Sequence, residues 1–441
     1  MLNKTLQKLW VLTPEASWVF VGQVGTGVAG LLGIKLLTHV LDPSEFGKLA
    51  LANTIVALIG LNFFGPFGQG ITRFWSISKD RGNLDVFYAV TNRLTIFVCL
   101  ISFSTSIILV FIFSMIKDLD WTILIALSLV IGIITGLFSL RIGIFTVARQ
   151  RKPAAIFDIS NSFLRPLIAT FLVILTIASV NVALVGYLVA AIFVLLIVER
   201  LYSKNVSDAS SQHLESKTRV PLLQGLSKEI LSYSWPFLVW GIFGWIHMSC
   251  DRWSLQTFHG AEVVGAFAVV SQLSIYPLSF SSGFLSALFM PIAFQKAGDL
   301  TKNGSVASAN RILTGMTGVY VLGTMLLIGI FILYHQQLIL LISNERFVTY
   351  SYLLPGLTTA WGLFFLGQVL TQYGMLANKP QLYIMPKITA SLVAGGATFY
   401  LSFRMGAIGV VWGLAVASIV YAVWCIVIAF KVVDANKVSI R

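Results

Sequence analysis

The chain has 441 residues, 57% of them hydrophobic and only 11% charged, against roughly 25% charged in soluble domains. Its mean hydropathy is positive, which excludes an ordinary soluble domain and makes it an integral membrane protein. The formal net charge of +13 would suit nucleic acid, but the basic residues follow the loops and form no aromatic-interleaved soluble patch, so nucleic acid is excluded as a partner.

Apolar runs of about 20 residues recur, and at about 1.5 Å of rise per residue each spans a hydrocarbon core of about 30 Å as a helix; barrel strands are far shorter. In the first half the predicted spans are Trp18 to Val40, Phe46 to Ile71, Phe87 to Met115, Trp121 to Ala148, Ala155 to Ile177 and Val180 to Val198. The second half gives Ile230 to Leu255, Val263 to Phe294, Ile312 to Tyr334, Tyr350 to Leu376, Leu382 to Phe403 and Ala407 to Phe430. The expectation is therefore about twelve helices. "MLNKTLQKLW" supplies a basic N-terminal region, but the Gly-rich run after Trp18 has no clear small-residue cleavage site and reads as a retained helix. Cys99, Cys250 and Cys425 each lie within an apolar run, as small hydrophobes and not as a disulfide or metal framework.

Of the 30 Lys and Arg, five fall well inside spans, Lys35, Arg93, Arg141, Arg165 and Lys387, while Lys48 and Arg252 sit at outer span ends and count with the outer loops. With a cytoplasmic N-terminus, the inner loops hold about twenty of the rest and the outer loops about five, a bias that predicts both termini in the cytoplasm. The longest polar stretch, "RLYSKNVSDASSQHLESKTRVPLLQGLSKE" from Arg200, is rich in Ser and mixed charge. It predicts a six-helix lobe over 1–201, a cytoplasmic linker over 202–227 and a second six-helix lobe over 228–441. Matches between the halves agree with a duplication: Gly186 with Gly413, Ala190 with Ala417, Lys152–Pro153 with Lys379–Pro380, and Gly47 with Gly265.

The stretch "HVLDPSEFG" from His39 is the first sharp polar interruption, and "FHGAEVVG" from Phe258 is its softened counterpart. Asp42 suits an N-cap, Pro43 the first helical turn, and Glu45 the position of a capping-box carboxylate, so helix-start chemistry alone accounts for these side chains. The same elbow resembles a signature of the Wzx-type polysaccharide-lipid flippases, members of the multidrug/oligosaccharidyl-lipid/polysaccharide exporter superfamily. "GQGITRFW" closing the second helix, "CDRWSLQTFHGAEVVGAFAVVSQL" and the Lys-Pro turns before the fifth and eleventh helices extend the resemblance over nearly the whole chain. Where many members carry Arg before the elbow, this chain has His39, with Lys35 one turn earlier. The resemblance implies a V-shaped, alternating-access bundle in the bacterial inner membrane. Its cargo would be an undecaprenyl-pyrophosphate-linked oligosaccharide, with other polysaccharide-assembly membrane proteins as possible partners and no cofactor.

A charge in hydrocarbon costs about 2.5 to 3.5 kcal/mol on insertion scales, so intramembrane charges are candidates for function. Lys35 and Lys387 lie near span ends, where snorkelling explains both. Arg93 and Arg141 are deeper, at about 10 Å, and either snorkel or line a cavity. Arg165 is near the middle of helix five. It shares a face with Asp158 and Asn161, and its guanidinium fork suits a pyrophosphate, although a helix-to-helix network around Pro166 would use the same stripe. His247 and Asp251, beside Arg252, are four apart on helix seven and suit either a coupling proton or an ion pair at the outer rim. Gln368 and Gln372 share a face that suits sugar hydroxyls or interhelical bonds. The glycines of helix one permit close packing, and "GQVGTG" lacks the Lys-Ser/Thr ending of a phosphate loop.

A cationic cavity for a lipid-linked oligosaccharide is the leading expectation. A drug exporter of the same superfamily would instead want an acidic lumen. A polymerase or acyltransferase acting on the same lipid would want a catalytic set in a large loop, which the short outer loops do not offer.

Overall fold

An unpaired backbone N–H or C=O has no water to turn to in hydrocarbon, so each apolar run must close its own hydrogen bonds. The computed structural model describes residues 2–116, 118–210, 216–297, 303–377 and 379–438, with backbone alone at 2–16, 208–210, 216–221, 291, 303–305, 380 and 434–438. The described chain forms helices in sequence order: α1 (Leu2–Val40), α2 (Pro43–Asp80), α3 (Leu84–Ser114), α4 (Leu119–Val147), α5 (Arg151–Leu175) and α6 (Val180–Ser210). Then follow α7 (Ser216–His259), α8 (Ala261–Ala297), α9 (Asn303–Ile342), α10 (Leu354–Leu376), α11 (Ile384–Met405) and α12 (Ala407–Val438). A π-helical turn, Gly60–Phe64, interrupts α2 near its middle, and short 3-10 segments, Glu345–Leu353 and Pro380–Tyr383, lead into α10 and α11.

Among the described residues, ten of these helices are long and apolar enough to cross a membrane. The two that fall short are α7 and α11, which carry His247, Asp251 and Arg252, and Lys387, respectively. Polar groups lower their mean hydropathy without breaking the helix, so a pure hydropathy count returns fewer spans than there are helical rods.

The polar elbow behaves as its residues dictate. Asp42 Oδ1 accepts the Glu45 backbone N–H at 2.8 Å, Pro43 opens α2, and the Glu45 carboxylate accepts from Lys48 Nζ at 2.7 Å. Its counterpart turns at Gly260, whose φ of +84° suits glycine. The two elbows also meet: a β-carbon on Gly47 would overlap the Ala261 carbonyl, and one on Gly265 would overlap the Pro43 carbonyl.

The chain groups into two compact units, one of Met1–Leu41 with Leu51–Trp245, the other of Asp42–Ala50 with Ile246–Arg441. These boundaries run through α2 and α7 and not through the polar linker. In the first unit α1 packs on α5, and α6 packs on α4 and α5. The early part of α7 joins this unit: Trp245 Nε1 donates to the Thr54 carbonyl at 2.7 Å, and Gly70 lies against Ile230 and Ser234. In the second unit α12 packs on α10 and α11, and α8 packs on α9 and α10. Phe46, on the short α2 segment of this unit, meets Phe347 edge-on at 5.5 Å.

The duplicated glycines play one role in each unit. A β-carbon on Gly186 of α6 would sit 2.5 Å from Ala169 Cα of α5, and one on Gly413 of α12 would sit 2.7 Å from the Thr398 nitrogen of α11. Both sites let backbones touch, as small residues do where apolar attraction between helices is absent. Gly186→Leu and Gly413→Leu are each expected to destabilise the protein by about 1–3 kcal/mol through overpacking. Gly315→Leu, with open space around its β-carbon, is the control and should leave thermal unfolding in detergent unchanged.

Candidate functional site

In the first unit, α1 and α5 interlock through glycines. Gly22, Gly25 and Gly33 of α1 face Ala155, Ile159 and Pro166 of α5. Asp158, Asn161 and Arg165 lie roughly 100° further around α5, as the 3.6-residue repeat requires, and all three are half-buried. The Arg165 guanidinium carbon lies 6.0 Å from the centre of the Tyr187 ring of α6. Its Nε and Nη2 are buried and meet no hydrogen-bond acceptor, Asp158 included. A buried donor left unmet costs on the order of 1–3 kcal/mol, and more when charged.

Arg141 is only 7% exposed, and it is already neutralised. Its Nε donates to Glu199 Oε1 at 2.6 Å, and its guanidinium carbon lies 3.8 Å from the centre of the Tyr202 ring. Tyr202 in turn donates its hydroxyl to Asn92 Oδ1 at 2.8 Å. The arrangement ties α4 to α6, and only Nη1 of Arg141 stays buried without a partner. Arg93 and Lys35 are exposed.

The second unit holds a cluster that its sequence understated. His247 is wholly buried and stacks on Phe364 with centroids 4.2 Å apart and planes 18° apart, while Trp361 meets it edge-on at 5.7 Å. Lys387 Nζ also stands over the Phe364 ring, 4.2 Å from its centre, and 5.5 Å from that of Tyr421. Gln368 Nε2 donates to the Tyr421 hydroxyl at 3.0 Å, and Gln372 lies half-buried one turn on.

One expectation is corrected here. Lys387 does not snorkel: it is 5% exposed, because α11 turns it inward among aromatic rings whose faces attract a cation. His247 and Asp251 are both 0% exposed, covered by protein on every side. Asp251 Oδ1 accepts the Arg252 backbone N–H at 2.7 Å, and Oδ2 is buried without a partner. Sequence reasoning also passed over Glu199, although a lone carboxylate directly after an apolar run was a visible signal for a partner to an in-span arginine.

Residues 12–297 match the family model described as "Polysaccharide biosynthesis protein". The chain belongs to that family. Its fold is shared with a lipid flippase and with multidrug transporters of solved structure. It is similar to the lipid II flippase MurJ in an inward closed conformation, with a TM-score of 0.66 and 11% identity over 97% of this chain and 91% of that one. An outward-facing multidrug resistance MATE transporter gives 0.60 and 15% identity over 94% and 96%. A eukaryotic MATE transporter gives 0.55 and 15% identity over 99% of both chains. No curated protein matches the chain by sequence.

Glu199→Gln is expected to lower stability by about 2 kcal/mol, somewhat less than the 3–5 kcal/mol of a fully buried pair because Glu199 is partly exposed. Arg141→Met with Glu199→Met should recover most of that loss in a thermal melt. Lys387→Met is expected to lower stability by about 0.5–2 kcal/mol in the same measurement through loss of its contacts with the Phe364 and Tyr421 rings; an unchanged or higher melting temperature would mean that the cost of burying the charge outweighs them.

Proposed function

We propose that this protein is a flippase that moves an undecaprenyl-pyrophosphate-linked oligosaccharide, an O-antigen or related repeat unit, from the cytoplasmic to the periplasmic leaflet of a bacterial inner membrane. The observation that carries the proposal is the guanidinium of Arg165, buried near the middle of a span with two N–H groups unmet. Family membership supplies the context of polysaccharide assembly, and a pyrophosphate supplies the acceptors this fork is shaped for. Transport would proceed by alternating access between two six-helix lobes, 1–201 and 228–441, joined by the linker 202–227, with both termini cytoplasmic. No covalent chemistry is assigned to the chain. Lys35 and Arg93 would meet the anion during its passage, with Arg141 held in reserve by Glu199. Asp158, Asn161, Gln368 and Gln372 would offer polar contacts, and His247 with Asp251 a route for a coupling ion.

Likeness to MATE transporters favours one alternative, export of small drugs. A site for cationic drugs would want carboxylates at midspan, and this chain places the Arg165 guanidinium there instead.

The test is the leaflet distribution of lipid-linked oligosaccharide in cells depleted of the protein, with rescue by wild type, Arg165→Lys or Arg165→Ala. The expected result is accumulation of completed intermediate on the cytoplasmic face, rescued fully by wild type, partly by Arg165→Lys and hardly by Arg165→Ala. Normal appearance of the intermediate in the outer leaflet on depletion would overturn the proposal.

A further inference from the structure

"GQGITRFW" splits into two faces once α2 is folded. Gly70 packs on α7, and Trp75 Nε1 donates to the Tyr88 hydroxyl at 3.5 Å, so these residues are structural. Gly68, Gln69 and Thr72 turn the other way, into a crevice of about 500 Å³ between α2 and α4. That volume lies within the range of about 300–1,000 Å³ usual for small-ligand sites. The crevice lies entirely within the first unit, beside the π-helical turn of α2, a kind of irregularity that recurs at functional sites.

Its chemistry is specific. Four polar side chains line it, Gln69 and Thr72 from α2 and Thr135 and Ser139 from α4, and no charged residue does. The hydroxyls of Thr72, Thr135 and Ser139 donate back to carbonyls of their own helices at 3.1, 3.3 and 2.9 Å, which leaves their oxygens with lone pairs to offer. Gln69, exposed, adds an amide that both donates and accepts. Gly68 leaves room at the wall, Gly136 seats the Phe64 ring, and Phe64 and Leu140 supply apolar surface. An alkyl chain would strand the Gln69 amide, and a phosphate or an acidic sugar would find no cation in the lining. A neutral sugar ring, with hydroxyls at its edge and C–H groups on its faces, satisfies both kinds of surface.

We propose that this crevice binds an uncharged hydroxyl- or acetamido-bearing sugar of the transported lipid, a subsite separate from the anion contact at Arg165. The assignment rests on the flippase proposal and names the part of the cargo that the first unit recognises.

The test measures binding of two probes to the purified full chain in nanodiscs: undecaprenyl-pyrophosphate-N-acetylglucosamine and glycan-free undecaprenyl pyrophosphate. The variant Gln69→Met, Thr72→Val, Thr135→Val, Ser139→Ala strips the polarity at nearly constant size. A second variant, Ser139→Trp, fills the crevice from an exposed position and so keeps the fold. Loss of about two net hydrogen bonds corresponds to roughly thirtyfold weaker binding. Both variants should lose about that factor for the sugar-bearing probe and bind the glycan-free probe as wild type does. Equal losses for both probes, or none, would overturn the sugar subsite while leaving the flippase proposal standing. Failure of the wild type to bind either probe would remove the flippase proposal and the subsite with it.

Discussion

Helices dissolved in lipid gain nothing by hiding apolar side chains from one another, because the solvent is as apolar as they are. Their association depends on how closely backbones can approach, and in this chain that closeness is set by glycine. The pairs Gly186 against Ala169, Gly413 against Thr398 and Gly47 against Ala261 bring backbones nearer than any side chain at those positions would allow, and Gly33 sits tightly against Pro166. The contacts recur at equivalent places in the two halves, so one packing solution has been used twice. The α1–α5 interlock holds the helix that carries Arg165, and the α11–α12 contact holds the helix that turns Lys387 inward.

Against that scaffold the buried charges fall into distinct kinds. Arg141 is held by a carboxylate and a tyrosine ring, and it behaves as a tie between helices. Lys387 is surrounded by aromatic faces, which attract its charge without neutralising it. Arg165 has a distant ring and two unmet donors. Depth within a span does not show that Arg141 is paired while Arg165 is not, and nearness to a span end conceals the burial of Lys387. What separates them is the partner supplied by a neighbouring helix, a tertiary fact.

Legibility in the sequence follows the same division. Helix number, the elbow cap at Asp42 and the duplicated glycines were readable, since each depends on residues close in the chain or on a pattern repeated along it. The hydropathy of α7 and α11 understates them as spans because their polar residues face protein and not lipid, and a window average has no access to facing. Glu199 was visible as a residue, but its link to Arg141, 58 positions away, was not. The crevice beside "GQGITRFW" was hidden for a related reason: half of its polar lining comes from α4, and Thr135 and Ser139 are unremarkable in an apolar run.

A transporter that must release its cargo is constrained differently from an enzyme that must hold a transition state. Attraction has to be sufficient for entry and shallow enough for exit, which favours several moderate contacts over one deep trap. On the proposed function, a guanidinium with two free donors would take part of a pyrophosphate's charge, while an uncharged crevice would read a sugar through hydrogen bonds each worth only about 1 kcal/mol net. Neutralising Arg141 by Glu199 fits this logic, because a second bare guanidinium in the same unit would deepen the anion well. On that proposal the division of labour would also separate two properties that evolution can tune independently: charge at Arg165 would govern whether a lipid pyrophosphate is accepted, and the hydroxyls of Thr72, Thr135 and Ser139 would govern which glycan it carries.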